Sequence, residues 1–348
     1  MTRQKNDKGA VLLTTLLIMA IMSALAVAMM SDIRAALLRS GNMSAHAQAD
    51  WYMKAAEDFA KSYIETNYLT LSTIEKNTAL KQPIYNEIPI EDGLMRLIVF
   101  DGTQCLPLNA VTAPSFDDDF GSDDDAENQN QKATDFGRIL QRLLVDTGMA
   151  DIDASNLRAA IVDWQDADQQ VSNGGAEDYT YLGLTPAYRT PNSPVRTVSE
   201  LRAVRGMNED IYKLISPYLC AGSAQRQAKI NINTLGPGHL VLLSALLGED
   251  EDGLAAQILQ SRPPTGYEDL VSDLQTAGVD PTKVNADLFS TEPTYLWIEV
   301  DVTYRDASRT VLLEFMIDSD GLKRTYRHYG TEGRKPEELF EIKEEDQG

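Results

Sequence analysis

An acidic segment in the middle of the chain carries residue types and spacing that could bind a hard cation. Such cations, Ca²⁺ above all, take about six to eight oxygen ligands, several of them from carboxylates. The segment offers carboxylates at the end of a predicted helix and again after a Gly-Gly turn. The candidate ligands are Asp163, Asp166, Asp168, Gln170, Glu177 and Asp178.

The spacing of these side chains matches that of a helix–loop–helix calcium loop, with one departure. Counted from Asp166, oxygen-bearing residues fall at the first, third, fifth, seventh and twelfth positions. The sixth position is Val171, where such a loop needs glycine for its sharp turn. The spacing therefore argues against an EF-hand. Two interpretations are left: a different calcium loop with similar ligands, or a helix C-terminus followed by a polar turn in an acidic protein.

The sequence contains two cysteines, Cys105 and Cys220. If the chain is exported, a disulfide between them is the expected state. In the chain-entropy model, the long loop that it closes contributes about 4–5 kcal/mol to stability. The alternative is a pair of buried free thiols.

Sequence signals for catalysis are weak. The histidines His46, His239 and His328 are isolated, so a histidine metal site or a Ser-His-Asp triad would need distant convergence. The sequence contains no G-x-S-x-G elbow, no P-loop and no dinucleotide fingerprint. The carboxylates on either side of Trp164 could serve acid–base chemistry, but no partner cluster supports that role. We expect no enzymatic activity.

The elements that must position these residues begin with an apolar segment near the N-terminus. Residues Ala10–Met30 carry no charge, and a helix of that length reaches about 30 Å, the thickness of a bilayer core. A buried core helix, the alternative, is rarely apolar on every face. Basic residues on both sides favour a cytoplasmic N-terminus only slightly. The segment therefore predicts one transmembrane helix.

A short basic leader, residues 1–9, precedes this segment, and Gly9 stands in front of the apolar core. A secretory signal peptide has its cleavage site behind the core, so that cleavage removes the core. A cut between Gly9 and Ala10 would instead leave the apolar helix on the mature protein. This layout is typical of a prepilin.

The pattern downstream predicts an α+β protein with a helical insertion. Helical spacing continues over 31–68, and strands are predicted at Gly93–Phe100, Tyr295–Tyr304, Thr310–Ile317 and Lys323–Tyr329. We expect the first strand to pair with the last three, and the helix to lie on the resulting sheet. The predicted divisions are a leader (1–9), a transmembrane part (10–30), the first part of the sheet domain (31–116), an all-α insertion (117–288), the closing strands (289–333) and a charged tail (334–348).

Two segments of the insertion, Ser199–Asn208 and Ile230–Arg262, resemble helix-hairpin-helix or SAM-like units, which in other proteins grip DNA phosphates. Asn208 stands where a glycine would expose backbone N–H groups, and acidic residues 249–252 crowd the second unit. The whole chain has 31 Lys and Arg against 53 Asp and Glu, a net charge of −22, which repels nucleic acid. We interpret both segments as packing units and expect no nucleic-acid partner.

These motifs together resemble the K-type minor pseudopilins of the type II secretion system, the general secretion pathway protein K family. The resemblance covers nearly the whole chain after the leader. It implies a pilin-like fold, in which a long N-terminal helix packs on an antiparallel sheet. The motifs that carry it are Lys8-Gly9-Ala10, Asp163-Trp164-Gln165-Asp166-Ala167-Asp168, Gly175-Ala176-Glu177-Asp178 with Tyr181, Glu200-Leu201 with Gly206, and Ile232-Asn233-Thr234.

Prepilins generally carry Glu at the fifth position after the cut, where this sequence has Thr14. The K-type subunit lacks that Glu, so the departure fits the resemblance. The Glu carboxylate would neutralise the N-terminal amine of the subunit ahead in the filament. A subunit with none ahead needs no carboxylate, and an unpaired charge in lipid is costly. Thr14 therefore indicates the tip position.

The resemblance also implies processing, location and partners. Prepilin peptidase would cut after Gly9 and methylate the amine of Ala10. The protein would span the inner membrane once, with its bulk in the periplasm. It would cap and nucleate a pseudopilus with I-type, J-type and other pseudopilins for export of folded proteins across the outer membrane. Calcium would bind in the helical insertion. A type IV pilus minor pilin or adhesin is the alternative.

Overall fold

One antiparallel sheet organises the part of the chain that the computed structural model describes, residues 8–111, 136–222, 229–248, 253–318 and 321–330. Its helices and strands are, in chain order, α1 (Lys8–Asn67), α2 (Thr73–Ala79), β1 (Ile84–Ile90), β2 (Gly93–Asp101), β3 (Leu106–Pro107), α3 (136–146), α4 (Asp151–Gln165), α5 (Asp178–Leu182), α6 (Glu209–Ile215), β4 (Leu219–Cys220), β5 (Ile230–Asn231), α7 (Leu240–Leu247), α8 (Leu254–Ser261), α9 (Leu270–Thr276), β6 (Phe289–Ser290), β7 (Tyr295–Tyr304), β8 (Ala307–Asp318) and β9 (Gly321–Tyr329). Short 3₁₀ segments occur at Leu108–Ala110, Val198–Ala203, Ser216–Tyr218, Pro237–His239, Pro281–Lys283 and Ala286–Leu288.

The sheet has the strand order β1-β2-β7-β8-β9, and each neighbouring pair is antiparallel. β2 pairs with β7 from Gly93 opposite Tyr304 to Asp101 opposite Leu296. Strands from the two sides of the insertion therefore lie side by side, which confirms the predicted pairing. The sequence of β1 carries no clear strand signal, because its side chains are at most half-buried and it contains Pro89. A proline is tolerated here because β1 is an edge strand.

The second half of α1 lies on one face of this sheet, as predicted. Its buried side chains recur every three or four residues, and several are alanines that let the helix approach closely. They are Ala49, Met53, Ala56, Ala60 and Ile64. All of these except Ala49 share one hydrophobic cluster with sheet residues that include Leu97, Val99, Ile298, Val300 and Leu313. The apolar first half of α1 extends beyond the sheet and is exposed.

The insertion between β2 and β7 has its own hydrophobic core, built from α3, α4, α6, α7, α8 and α9. The prediction that 117–288 is all-α is wrong in detail, because β4 and β5 lie inside it. β4 pairs in parallel with β3, and β5 pairs in parallel with β6. Each of these strands has two residues. The position of such pairs depends on where the chain enters and leaves the insertion. No local residue pattern therefore predicts them.

The first helix-hairpin-helix-like segment is less helical than its sequence indicates. Its first helix is a 3₁₀ segment, Val198–Ala203, and the turn after it contains Gly206 at a φ of 88°, a conformation that favours glycine. The Asn208 side chain accepts a hydrogen bond from the Ile211 backbone N–H at 2.9 Å and caps α6. A helix cap explains why asparagine stands at this position.

Several predicted segments lie outside the described residues. They are residues 1–7 of the leader, 117–135 at the start of the insertion, the acidic residues 249–252 and the tail 334–348. The short helix α5 was not among the predicted elements, because its five residues are too few for a periodic pattern.

Candidate functional site

Three of the predicted ligands converge where α4 ends and α5 begins. Asp163 lies in the last turn of α4, Asp166 is its C-cap residue, and Glu177 is the N-cap residue of α5. One carboxylate oxygen from each lies within 4.8 Å of the others. Asp163 is fully buried and Glu177 is only 2% exposed, while Asp166 is half-buried. We call Asp163, Asp166 and Glu177 the carboxylate triad.

Two oxygens of the triad lack the hydrogen bonds that buried carboxylate oxygens normally make. Among the described residues, Asp166 Oδ1 and Glu177 Oε1 are buried and have no hydrogen-bond partner. Burial, followed by repulsion from Asp168 and Asp163, raises the pKa of Asp166 to about 6. Burial, followed by repulsion from Asp166 and Asp163, raises the pKa of Glu177 to about 7. Negative charge concentrated in this way favours a bound cation.

The loop between the two helices is fitted closely to the Asp163 carboxylate. The Ser172 backbone N–H donates to Asp163 Oδ2 at 3.1 Å. A Cβ atom added at Gly175 would lie 2.1 Å from the same oxygen. Gly175 therefore admits no side chain, which gives the Gly-Gly turn a structural reason.

Two other predicted ligands, Asp168 and Asp178, do not belong to the triad, and a third, Gln170, is exposed. Asp168 Oδ1 accepts the Gln170 backbone N–H at 2.7 Å, forming a local turn. Asp178 forms an ion pair with Arg189 at 2.9 Å and accepts the Thr190 backbone N–H at 2.9 Å. Sequence spacing cannot distinguish these roles, because it does not tell which way each side chain points.

Thr190 is a residue that the sequence analysis missed. Its hydroxyl oxygen lies 2.9 Å from Asp178 Oδ1 and 3.5 Å from Glu177 Oε2. It lies beyond the acidic segment, in a stretch without helix or strand. The polar stretch that contains Thr190, residues 189–194, has no spacing characteristic of metal ligands.

An aromatic cluster begins beside the triad, at Trp164, which follows Asp163 in the chain. Trp164 packs edge-on against Tyr181, with ring centroids 5.3 Å apart, and Tyr181 lies at the same distance from Tyr188. Tyr181 is fully buried. Apolar surroundings of this kind strengthen the interaction of the triad with any cation that it holds.

The two cysteines form a disulfide. Cys105 and Cys220 are bonded, with their Cα atoms 5.7 Å apart, and both are buried. They belong to a small cluster with Ile98, Phe100 and Trp297 on the sheet face opposite α1. The predicted pairing is confirmed, and the bond ties the insertion to the sheet.

The predicted processing site lies at the start of α1. Gly9 and Ala10 are in the first turn of this helix, and cleavage and methylation there stay predictions. From Val11, α1 is long and apolar enough to cross a membrane. The Thr14 hydroxyl donates to the Val11 carbonyl at 2.9 Å, so its polar group is satisfied within its own helix.

Two family models match the chain. Both are described as type II secretion system (T2SS), protein K, and they match residues 104–224 and 230–292. The first includes the carboxylate triad and both cysteines, and the second includes the segment with Ile232-Asn233-Thr234.

Curated relatives carry the same description. The type II secretion system protein K of Aeromonas hydrophila is 35% identical over 271 residues, which is 76% of this chain and 78% of the relative. The protein K of Klebsiella pneumoniae is 31% identical over 285 residues, which is 81% of this chain and 83% of the relative.

A solved structure shares the fold. The crystal structure of the GspK–GspI–GspJ complex from the type 2 secretion system of enterotoxigenic Escherichia coli matches with a TM-score of 0.64 at 24% identity. The match covers 84% of this chain and 99% of the solved chain. With relatives this similar over most of their length, the chain belongs to the protein K family of the type II secretion system, the K-type minor pseudopilins.

Proposed function

We propose that this chain caps the tip of a type II secretion pseudopilus and nucleates its assembly. The observation that carries the proposal is Thr14. Threonine has no carboxylate to pair with the N-terminal amine of a subunit ahead, and the Thr14 hydroxyl is hydrogen-bonded within its own helix. A subunit that ends the filament needs none, and an unpaired carboxylate in lipid would be costly.

The shape of the molecule supports the same position. The insertion is held against the sheet face opposite α1 by the disulfide and its hydrophobic cluster. The first half of α1 extends free of the sheet as an apolar rod. An insertion of this size is accommodated most easily at an end of a helical filament. The first half of α1 would then point into the membrane or into the shaft of the filament.

The partners follow from the family. In the related solved structure, GspK is assembled with GspI and GspJ. We infer that this chain assembles with the corresponding I-type and J-type subunits. Prepilin peptidase would cut after Gly9 and methylate Ala10. The first half of α1 would span the inner membrane, and the bulk of the chain would lie in the periplasm. The chain would act by assembly rather than by catalysis.

We further propose that the carboxylate triad holds a Ca²⁺ ion. Two observations support this: three carboxylates converge within 4.8 Å, and Glu177, almost fully buried, keeps Oε1 without a hydrogen-bond partner among the described residues. Asp163, Asp166 and Glu177 would be ligands. A bound Ca²⁺ would supply positive charge that joins the end of α4 to the start of α5, a structural role in the insertion.

Two experiments test these proposals. Intact-mass analysis of the membrane-extracted protein should give a chain that begins at methylated Ala10. An intact leader, or a cut behind Met30, would contradict the proposed processing. Deletion of the gene should abolish secretion, and Thr14→Glu should fail to restore it while Thr14→Ser should restore it.

For calcium, titration calorimetry on the full chain in detergent should show binding that Asp166→Asn and Glu177→Gln each weaken at least about tenfold. Asp178→Asn is the matched control, because its carboxylate is engaged by Arg189 and Thr190. Binding that is insensitive to both triad variants would place the ion elsewhere.

A further inference from the structure

We infer that Arg205 is a positioning residue for the carboxylate triad. The inference rests on the calcium site proposed above and adds to it a residue that does not touch the ion. Arg205 lies in the turn after the 3₁₀ segment Val198–Ala203, thirty positions beyond the loop that it contacts.

The contact falls at the point where the loop meets Asp163. Arg205 Nη1 donates to the Gly175 carbonyl oxygen at 2.8 Å. Gly175 also lies so close to Asp163 that a Cβ atom would be 2.1 Å from Oδ2. The backbone of Gly175 thus contacts both the guanidinium group and a triad carboxylate. Glu177, another member of the triad, follows two residues later.

The turn that carries Arg205 is itself fixed by the aromatic cluster. The Arg205 backbone N–H donates to the Tyr181 hydroxyl at 3.2 Å, and the Tyr188 hydroxyl donates to the Ala203 carbonyl at 2.8 Å. Tyr181 packs on Trp164, the neighbour of Asp163. A chain of contacts therefore links Trp164 on α4 to Tyr181, Tyr181 to Arg205, and Arg205 to Gly175 beside the triad.

Two properties of this arrangement predict how Arg205 acts. Its side chain is exposed, so its replacement leaves no buried cavity and the variants should fold. A positive charge near the site would by itself oppose calcium binding. If Arg205 contributes through position, its loss weakens calcium binding; if it contributed only charge, its loss would strengthen binding.

Calcium titration of the full chain in detergent, with four proteins compared, tests the inference. Arg205→Met keeps the apolar stem and removes the donor, and we expect about a tenfold loss of calcium affinity, the range for residues that orient metal ligands. Arg205→Lys keeps a donor and should lose less. Arg202→Ala is the control, because Arg202 lies three residues before Arg205 and pairs with Glu209 at 3.2 Å.

A second readout separates positioning from general stability. Hydrogen exchange at residues 172–177 should slow on calcium addition in the wild type and in Arg202→Ala, but not in Arg205→Met, while the melting temperatures in chelator stay similar. Wild-type affinity, or tighter binding, in Arg205→Met would overturn the inference. A wild-type protein that binds no calcium would overturn the proposed calcium site, and this inference with it.

Discussion

At the scale of single residues, Asp166 and Glu177 are held in a place that favours their protonated forms. Burial raises the pKa of both, to about 6 and about 7, with repulsion inside the acidic cluster adding to it. The folded chain therefore keeps protons that the unfolded chain loses near pH 4. Between about pH 4 and about pH 7, the folded state binds more protons, so its stability falls as the pH rises.

This fall in stability with rising pH leads to a prediction for the metal-free protein. In chelator, the melting temperature should fall from about pH 5 to about pH 8, and saturating calcium should remove most of that fall because the ion replaces the protons. Differential scanning fluorimetry across this range measures both effects. Glu177→Gln is the control, since it should flatten the chelator curve. A curve in chelator that is flat or rising in the wild type would contradict the pKa shifts.

Gly175 supplies a second prediction. Gly175→Ala would place a methyl group against the Asp163 carboxylate, so we expect calcium affinity to fall at least about tenfold and stability to fall by about 1–3 kcal/mol. Gly137→Ala is the matched control, because its Cβ would meet only the Arg158 side chain at 3.6 Å, inside a helix that favours alanine. Calorimetry and urea unfolding measure the two quantities. Equal behaviour of the two variants would refute the close fit.

How far the site could be predicted differs from residue to residue. Spacing in the sequence was enough to nominate Asp163, Asp166 and Glu177, because carboxylates at a helix end and after a turn can converge. Asp178 fits the same spacing, yet its partner Arg189 lies in a separate loop. Arg205 carries no local signal at all, since its role depends on a contact across thirty positions.

At the scale of elements, α1 is held on the sheet by one nearly buried carboxylate as well as by apolar packing. Glu57 faces the edge strand β9, where Arg324 Nη1 donates to it at 3.0 Å and Arg327 Nη2 at 2.6 Å. The side chain of Glu57 is only 9% exposed. Inward-facing charges of this kind also protect an edge strand from pairing with other chains.

Removal of this carboxylate should therefore be costly. We expect Glu57→Gln to lower the free energy of unfolding by about 2–4 kcal/mol, because two guanidinium groups lose a nearly buried partner. Asp92→Asn is the control: it breaks the exposed Asp92–Arg305 pair at 2.8 Å and should cost less than about 1 kcal/mol. Urea unfolding of both variants gives the comparison. A similar loss in both would show that burial adds nothing to the Glu57 interaction.

The long elements were predictable and the short ones were not. α1 and the strands β2, β7, β8 and β9 carry sustained apolar periodicity, and each was predicted close to its observed range. The two-residue strands β3 to β6 and the five-residue α5 have no such pattern. Their conformations depend on contacts made only after the insertion has folded against the sheet.

At the scale of the whole molecule, several contacts among the described residues join the insertion to the sheet. The disulfide between Cys105 and Cys220 is one. The buried Asp101 at the end of β2 is another, since it accepts Asn231 Nδ2 at 2.8 Å and the Thr234 hydroxyl at 2.6 Å. On β9, the Tyr326 hydroxyl donates to the Arg196 carbonyl at 2.6 Å. The Ile232-Asn233-Thr234 motif thus lies at the junction of the two units.

The disulfide should carry much of the stability of this junction. We expect replacement of both cysteines by serine to lower the free energy of unfolding by about 2–5 kcal/mol. Wild-type protein in reductant is the control and should approach the variant once the buried bond is reduced. Denaturant unfolding measures the difference. No change in the midpoint would show that the remaining contacts suffice.

The central claim is that this subunit ends the filament, and its position on the filament tests that claim most directly. Isolated pseudopili labelled with gold against the insertion and viewed by electron microscopy should carry label at one end only, with the major subunit labelled along the whole shaft as the control. Label distributed along the shaft would contradict the account.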